Sequence, residues 1–183
     1  MLRKLILPIQ IIIILNTVSF AQGGGLIIGN NFRIFPGSTD QTEVFIVKHP
    51  NDNNTLFSSA NTIRFQPNFF VSEGVYVTTD AGNTWFGSDT CKGANIFFNG
   101  GDPGIAIDKN GTFILTRKGT TTFQGIYSHY STDLGITWST QNTISTEEIE
   151  RATIVSDNDP NSAYYGRTYA CWAKLVPNYT IGF

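Results

Sequence analysis

The sequence predicts an all-β fold of antiparallel strands grouped in fours. Three observations carry this expectation. Aromatic residues make up 13% of the 183 positions and charged residues only 14%, with Gly, Thr, Asn and Ser abundant, the balance of a β-rich extracellular chain rather than a helical one. No segment sustains a helical apolar period. An eight-residue phrase is written twice, TTDAGNTW at 78–85 and STDLGITW at 131–138, and such self-similarity marks a repeated supersecondary unit.

The first element is a leader. Met1-Leu2-Arg3-Lys4 is basic, Leu5 to Leu15 is apolar apart from Pro8 and Gln10, and Ser19-Phe20-Ala21 places small residues before Gln22. That is the grammar of a secretory signal peptide over 1–21; its apolar run falls short of the roughly 20 residues of a spanning helix. The protein is therefore expected outside the cytosol, secreted or in the cell envelope. No membrane span is expected after cleavage. Removal of Arg3 and Lys4 leaves the 14 acidic residues in excess of the remaining basic ones. With no basic stripe, nucleic acid is excluded as a partner.

Residues 22–42 form a leading segment. Three stretches then share one layout: 43–61, 104–118 and 152–174 each read as an apolar strand, an Asp/Asn/Pro/Gly turn and a second strand. Lys109-Asn110-Gly111 is a tight hairpin signal, because Asn and Gly accept positive φ. GVYVTTD (74–80) and GIYSHYSTD (125–133) lead as strands into the repeated phrase, so each phrase sits at the turn of a further hairpin. Thr146 to Ile154 is the one helix-like piece, but its Thr and Ile favour a strand entry. Two hairpins make one four-stranded unit of β-propeller blade size. The blades are expected at 43–90 and 103–145, with a half blade at 152–175 inside a partial propeller over 43–183. That amounts to roughly two and a half to three of the four to eight blades with which propellers close. The chain therefore reads as the front of a longer propeller. Ring assembly of several copies and a smaller closed β fold are the alternatives.

Within the phrase every member has a local task. Asp80 and Asp133 can accept backbone N–H bonds two and three residues on. Gly82 and Gly135 supply unusual backbone angles. Thr78 and Ser131 can tie the turn to its strand, Thr84 and Thr137 complete it, and Trp85 and Trp138 fold over the hairpin. These residues resemble the Asp box, or bacterial neuraminidase repeat, S/T-x-D-x-G-x-T-W. Two full matches in the same strand context make the chain similar to sialidase-like β-propellers over about 43–175. The resemblance implies turns on the outer rim of a propeller, away from any ligand.

It also implies a chemistry to look for. Sialidases clamp a carboxylate with three arginines, because guanidinium pairs with it bidentately, and use a Tyr–Glu pair and an acid/base Asp. Arg33 in NFRIFPG (31–37) stands where the first such arginine lies, although Phe35 separates Ile34 from Pro36. Asp40 and Asp102 are the acids to consider; neither has a supporting motif. The loops 86–103, 117–125 and 139–151 are expected to build a ligand face, with Asp102, Arg117 and Arg151 near it or serving as ordinary surface charge. Asp157, Asn158, Asp159 and Asn161 lack the spacing of a calcium loop and read as an Asx turn. His49 and His129 have no partner pattern, and no metal or cofactor is expected. Cys91 and Cys171 are either separate half-buried thiols or one export-permitted bridge. Asn53, Asn110 and Asn178 head glycosylation triplets. The expected function is recognition of a glycan or protein ligand. A sialidase-type hydrolase and a structural adhesion protein are the alternatives.

Overall fold

The computed structural model describes residues 29–91, 99–120, 123–174 and 180–182. The leader at 1–21 and the triplet at Asn178 lie outside these residues. Two compact units divide the chain, 1–32 and 33–183. Of the first, only 29–32 are described, without a strand.

The second unit is all-β, as expected. Its strands are β1 (Asp40–Lys48), β2 (Leu56–Arg64), β3 (Phe70–Thr78), β4 (Phe86–Ser88), β5 (Asn99–Ile107), β6 (Phe113–Gly119), β7 (Gly125–Ser131), β8 (Asn142–Ser145), β9 (Ile149–Ser156), β10 (Thr168–Lys174) and β11 (Thr180–Gly182). They form three antiparallel sheets in chain order: β1-β2-β3-β4, β5-β6-β7-β8 and β9-β10-β11. The first strand of the second sheet, β5, packs against β1, β2 and β3 on one side and β9 on the other. Sandwiched on both faces, its Gly-Ile-Ala-Ile run at 104–107 is wholly buried. This is why it reads as a continuous apolar stretch instead of an alternating one.

The sheets begin at Asp40, Asn99 and Ile149, earlier than the apolar pattern implies. Each first strand carries a register shift: between Thr42 and Phe45, between Gly101 and Gly104, and opposite Trp172/Ala173. An extra residue breaks the period of two, so only the part beyond the bulge shows the alternation of a strand. Of the Thr146–Ile154 segment, residues 149–154 enter β9, a strand as expected, and 146–148 precede it. The expected half blade carries a third strand, β11.

The larger core lies between the first two sheets. Phe57, Val75 and Val77 meet Ile105, Ile107, Phe113, Leu115 and Trp138, with Phe57 and Phe113 stacked at 4.8 Å. Between the second and third sheets Ile126, Ile149 and Ala152 pack with Trp172. Cys91 is buried and Cys171 half-buried, and no disulfide joins them. Among the described residues no helix is long and apolar enough to cross a membrane.

The repeated phrase closes the β3–β4 and β7–β8 turns with the same geometry. Thr78 Oγ1 donates to Asp80 Oδ1 at 2.7 Å and accepts from Gly82 N at 3.0 Å; Asp80 accepts from Thr84 N at 2.9 Å and Thr84 Oγ1 at 2.6 Å. Ser131, Gly135, Asp133 and Thr137 repeat this at 2.7, 2.9, 2.9 and 2.6 Å. Trp85 and Trp138 each donate Nε1 to the carbonyl of Gly82 or Gly135 at 3.1 Å. The roles differ from expectation in one respect. The aspartate reaches four residues on, to the threonine, and the hydroxyl residue takes the nearer N–H groups. The hydroxyl sits two residues closer to the strand, where a shorter side chain spans the gap.

Candidate functional site

The bulge in each first strand turns one side chain out of its ladder. The extra residues are Glu43, Asp102 and Arg151, all non-glycine at positive φ of 53°, 56° and 39°. Such left-handed geometry costs an L-residue on the order of 1 kcal/mol. It is met three times at one structural position. Because β5 packs beside both β1 and β9, the three re-aimed side chains come together. Arg151 Nη2 lies 2.8 Å from Glu43 Oε1, and Asp102 is within hydrogen-bonding reach of Glu43.

The surrounding shell fixes this arrangement. Asn61 of β2 donates Nδ2 to Glu43 Oε2 at 3.0 Å and accepts from Asp102 N at 2.7 Å through Oδ1. Gly101 precedes Asp102 at φ 77°; a Cβ there would stand 2.5 Å from Asn61 Oδ1, so the amide bridge requires glycine. Lys118 and Glu150 pair at 2.7 Å beside the cluster. Asp102 is half-buried. Burial, and then the hydrogen bond and charge of Glu43, raise its carboxyl above the ordinary carboxylate value, against the pull of Lys118 and Arg151. The cluster with its Lys118–Glu150 flank thus offers three carboxyls, a guanidinium, an ammonium and an amide on one partly exposed surface.

Behind it lies a buried polar network. Glu73 and Arg117, both fully buried, face each other from the first and second sheets. Asn99 Nδ2 donates to Glu73 Oε2. Arg117 Nε donates to His129 Nε2 at 3.1 Å and Nη2 to Gln141 Oε1 at 2.7 Å, with the guanidinium 5.1 Å from the Tyr127 ring centroid. Since Nε2 of His129 accepts, Nδ1 carries the proton and donates to Ser139 O at 3.1 Å. Burial, together with the Arg117 charge, lowers the His129 pKa despite that bond. Burial also drives Glu73 up to about 7, opposed by Asn99 and Arg117.

Of the expected ligand-face residues, Asp102 and Arg151 do meet. Arg117 does not: it points inward from β6, on the same face as Phe113 and Leu115. A strand's alternation, not its nearness to a loop, decides which side a residue takes. Arg33 is remote from the cluster in its bonding and donates to Gly37 O at 3.0 Å. Asp40 begins β1, upstream of the bulge. Sequence reasoning does not find Glu43 and Asn61. A signal is nonetheless present: EVFI (43–46), DPGI (102–105) and RATI (151–154) each place a charged residue three before an isoleucine.

By strand register the phrases lie at the opposite end of the strands from the cluster: Thr42 pairs with Asn61 and Asn61 with Glu73, whereas Thr78 pairs with Leu56. Their serine, threonine and aspartate side chains are consumed by the turn. The 157–162 segment is an Asx-rich turn, with Asp157 accepting from Ser162 Oγ at 2.5 Å and Asp159 from Asn161 N at 2.9 Å. Among the described residues no group of three or more His, Cys, Asp or Glu side chains could hold a metal ion. Neither a family model nor a curated protein matches the chain.

Proposed function

We propose that the chain is an exported Asp-box β-propeller segment, each four-stranded sheet one blade, serving as a recognition module for a glycan. The observation that carries this reading is the convergence of Glu43, Asp102 and Arg151 from three successive first strands. Mixed carboxyl, guanidinium and amide groups on a fixed scaffold suit the alternating donors and acceptors of sugar hydroxyls. Loops and bulges held by a rigid fold are where binding residues concentrate. A protein ligand using the same cluster is the broader form of the reading.

The hydrolase alternative meets one obstacle within this chain. A carboxylate clamp needs convergent arginines, but Arg33, Arg117 and Arg151 are committed to Gly37 O, His129 with Gln141, and Glu43.

The test is calorimetric titration with a panel of neutral and sialylated oligosaccharides. Arg151→Ala and Asp102→Asn should each weaken binding at least about tenfold, or about 1.4 kcal/mol, with unchanged thermal midpoints. Absence of binding to any oligosaccharide, or binding indifferent to both substitutions, sinks the glycan reading.

A further inference from the structure

Asp102 follows Asn99-Gly100-Gly101, so two glycines lead directly into it. Glycine loses more conformational freedom on folding than any other residue. Gly101 and Asp102 are moreover held one after the other in the left-handed region, at φ 77° and 56°. Such a pair persists only where its surroundings over-determine it. Both of its amides are held by asparagines. Asp102 N donates to Asn61 Oδ1 at 2.7 Å, and Gly101 N donates to Asn99 Oδ1 at 2.8 Å, two residues back.

The hold of Asn61 comes directly from β2. Asn99 belongs to the same segment as the glycines and needs an anchor of its own. Glu73 supplies it: Asn99 Nδ2 donates to Glu73 Oε2, and the glutamate is fully buried within β3. Asn61 and Glu73 are register partners. One rung of the β2–β3 ladder therefore grips two successive amides of the bulge, one directly and one through Asn99.

An acid at this seat has no other return. The charged groups that face Glu73 are Arg117 from β6 and Asp102 from β5. Among the described residues, Glu73 Oε1 and Arg117 Nη1 are both buried without a hydrogen-bond partner, and no ion pair joins the two side chains. Burying a carboxyl is unfavourable unless it is bonded, and an apolar side chain of the same length would fill the seat without that penalty. Accepting from Asn99 is what the glutamate adds.

We infer that Glu73 is a positioning residue of the cluster: through Asn99 it fixes the two glycines and so the direction in which Asp102 projects, without itself reaching the surface. The inference rests on the reading of the cluster as a binding site. Asn61, Glu73, Asn99 and Gly101 all belong to the first two sheets, which pack on each other.

The test follows single amides of the full chain by hydrogen exchange in NMR spectra. Glu73→Met and Asn99→Ala should each speed exchange at Gly101 and Asp102 at least about tenfold, because each removes one link of the hold. Ile105, Ala106 and Ile107, further along β5, should keep their wild-type rates; a general loss of stability would speed them as well. Glu73→Gln retains an oxygen that accepts from Asn99 and should exchange like the wild type. The double variant Glu73→Met/Asn99→Ala should be no faster than Asn99→Ala alone, since links in series do not add. Titration with the oligosaccharide panel should show binding weakened at least about tenfold by Asn99→Ala and unchanged by Glu73→Gln. Wild-type exchange at Gly101 and Asp102 in either Glu73→Met or Asn99→Ala overturns the inference. So does a Glu73→Gln chain as fast as Glu73→Met, faster exchange along the whole of β5, a double variant faster than both single ones, or sugar binding that Asn99→Ala leaves at full strength. A wild-type chain that binds no oligosaccharide, with the amide pattern as expected, would remove the glycan reading and leave the hold of Glu73 on Asp102 standing.

Discussion

Asp80 and Asp133 are half-buried in their turns, and each holds its carboxyl down near 2. The hydrogen bond from the threonine hydroxyl is the first cause, followed by that threonine's N–H and the strand-end hydroxyl. A carboxyl depressed on folding gives stability that is present above its ordinary value and lost as pH falls through the folded one. Thermal midpoints should accordingly drop between about pH 4 and pH 2, and Asp133→Asn should flatten that drop. Glu73 has the opposite sign. Its carboxyl is raised to about 7 by burial, so the folded chain holds a proton that the unfolded chain releases. Its contribution is complete below the ordinary carboxylate range and is lost as pH rises through 7. Glu73→Gln mimics the protonated form. Its urea midpoint should exceed that of the wild type at pH 8 and approach it near pH 4; an equal difference at both pH values would show that Glu73 does not titrate there.

At the level of single elements, the two phrase hairpins have the same hydrogen bonds and different neighbours. Trp138 lies in the core against Phe57, while Trp85 does not. Truncating a buried aromatic costs about 3–5 kcal/mol, through lost transfer energy and the cavity left behind. Trp138→Ala should fall in that range in urea unfolding, and Trp85→Ala below half of it. Equal costs would mean that the turn clamp, and not the seat between sheets, is what the tryptophan supplies. The hairpins themselves are legible in the sequence because turn chemistry is local: Gly111 at φ 84° and Asp108 accepting from Asn110 N and Thr112 N are fixed by neighbours in the chain. The bulges are not legible as bulges. Nothing in Asp40-Gln41-Thr42 or Asn99-Gly100-Gly101 alternates, so the apolar pattern places the strand starts too late.

Across the molecule, protection should follow coverage. β5 and β6 are packed from both sides, whereas β4 and β11 have three residues each at sheet margins. Amide exchange should be slowest in β5 and β6 and fastest in β4 and β11, since local opening is easiest where few apolar contacts must break. Uniform protection would mean that the three sheets open only together. The same packing brings Glu43, Asp102 and Arg151 together across more than a hundred positions of sequence.

Local sequence was enough for the all-β class, the order of hairpins and the two Asp-bearing turns, because strand alternation and turn hydrogen bonding act within a few residues. It also carried Asp102 and Arg151 as residues to watch. Packing between sheets was needed to turn Arg117 inward to His129 and Gln141, to complete the cluster with Glu43 and Asn61, and to bury Trp138 where Trp85 is not. Those outcomes depend on which face of a sheet meets its neighbour. A one-residue bulge reverses that face, and nothing local to the bulge announces it.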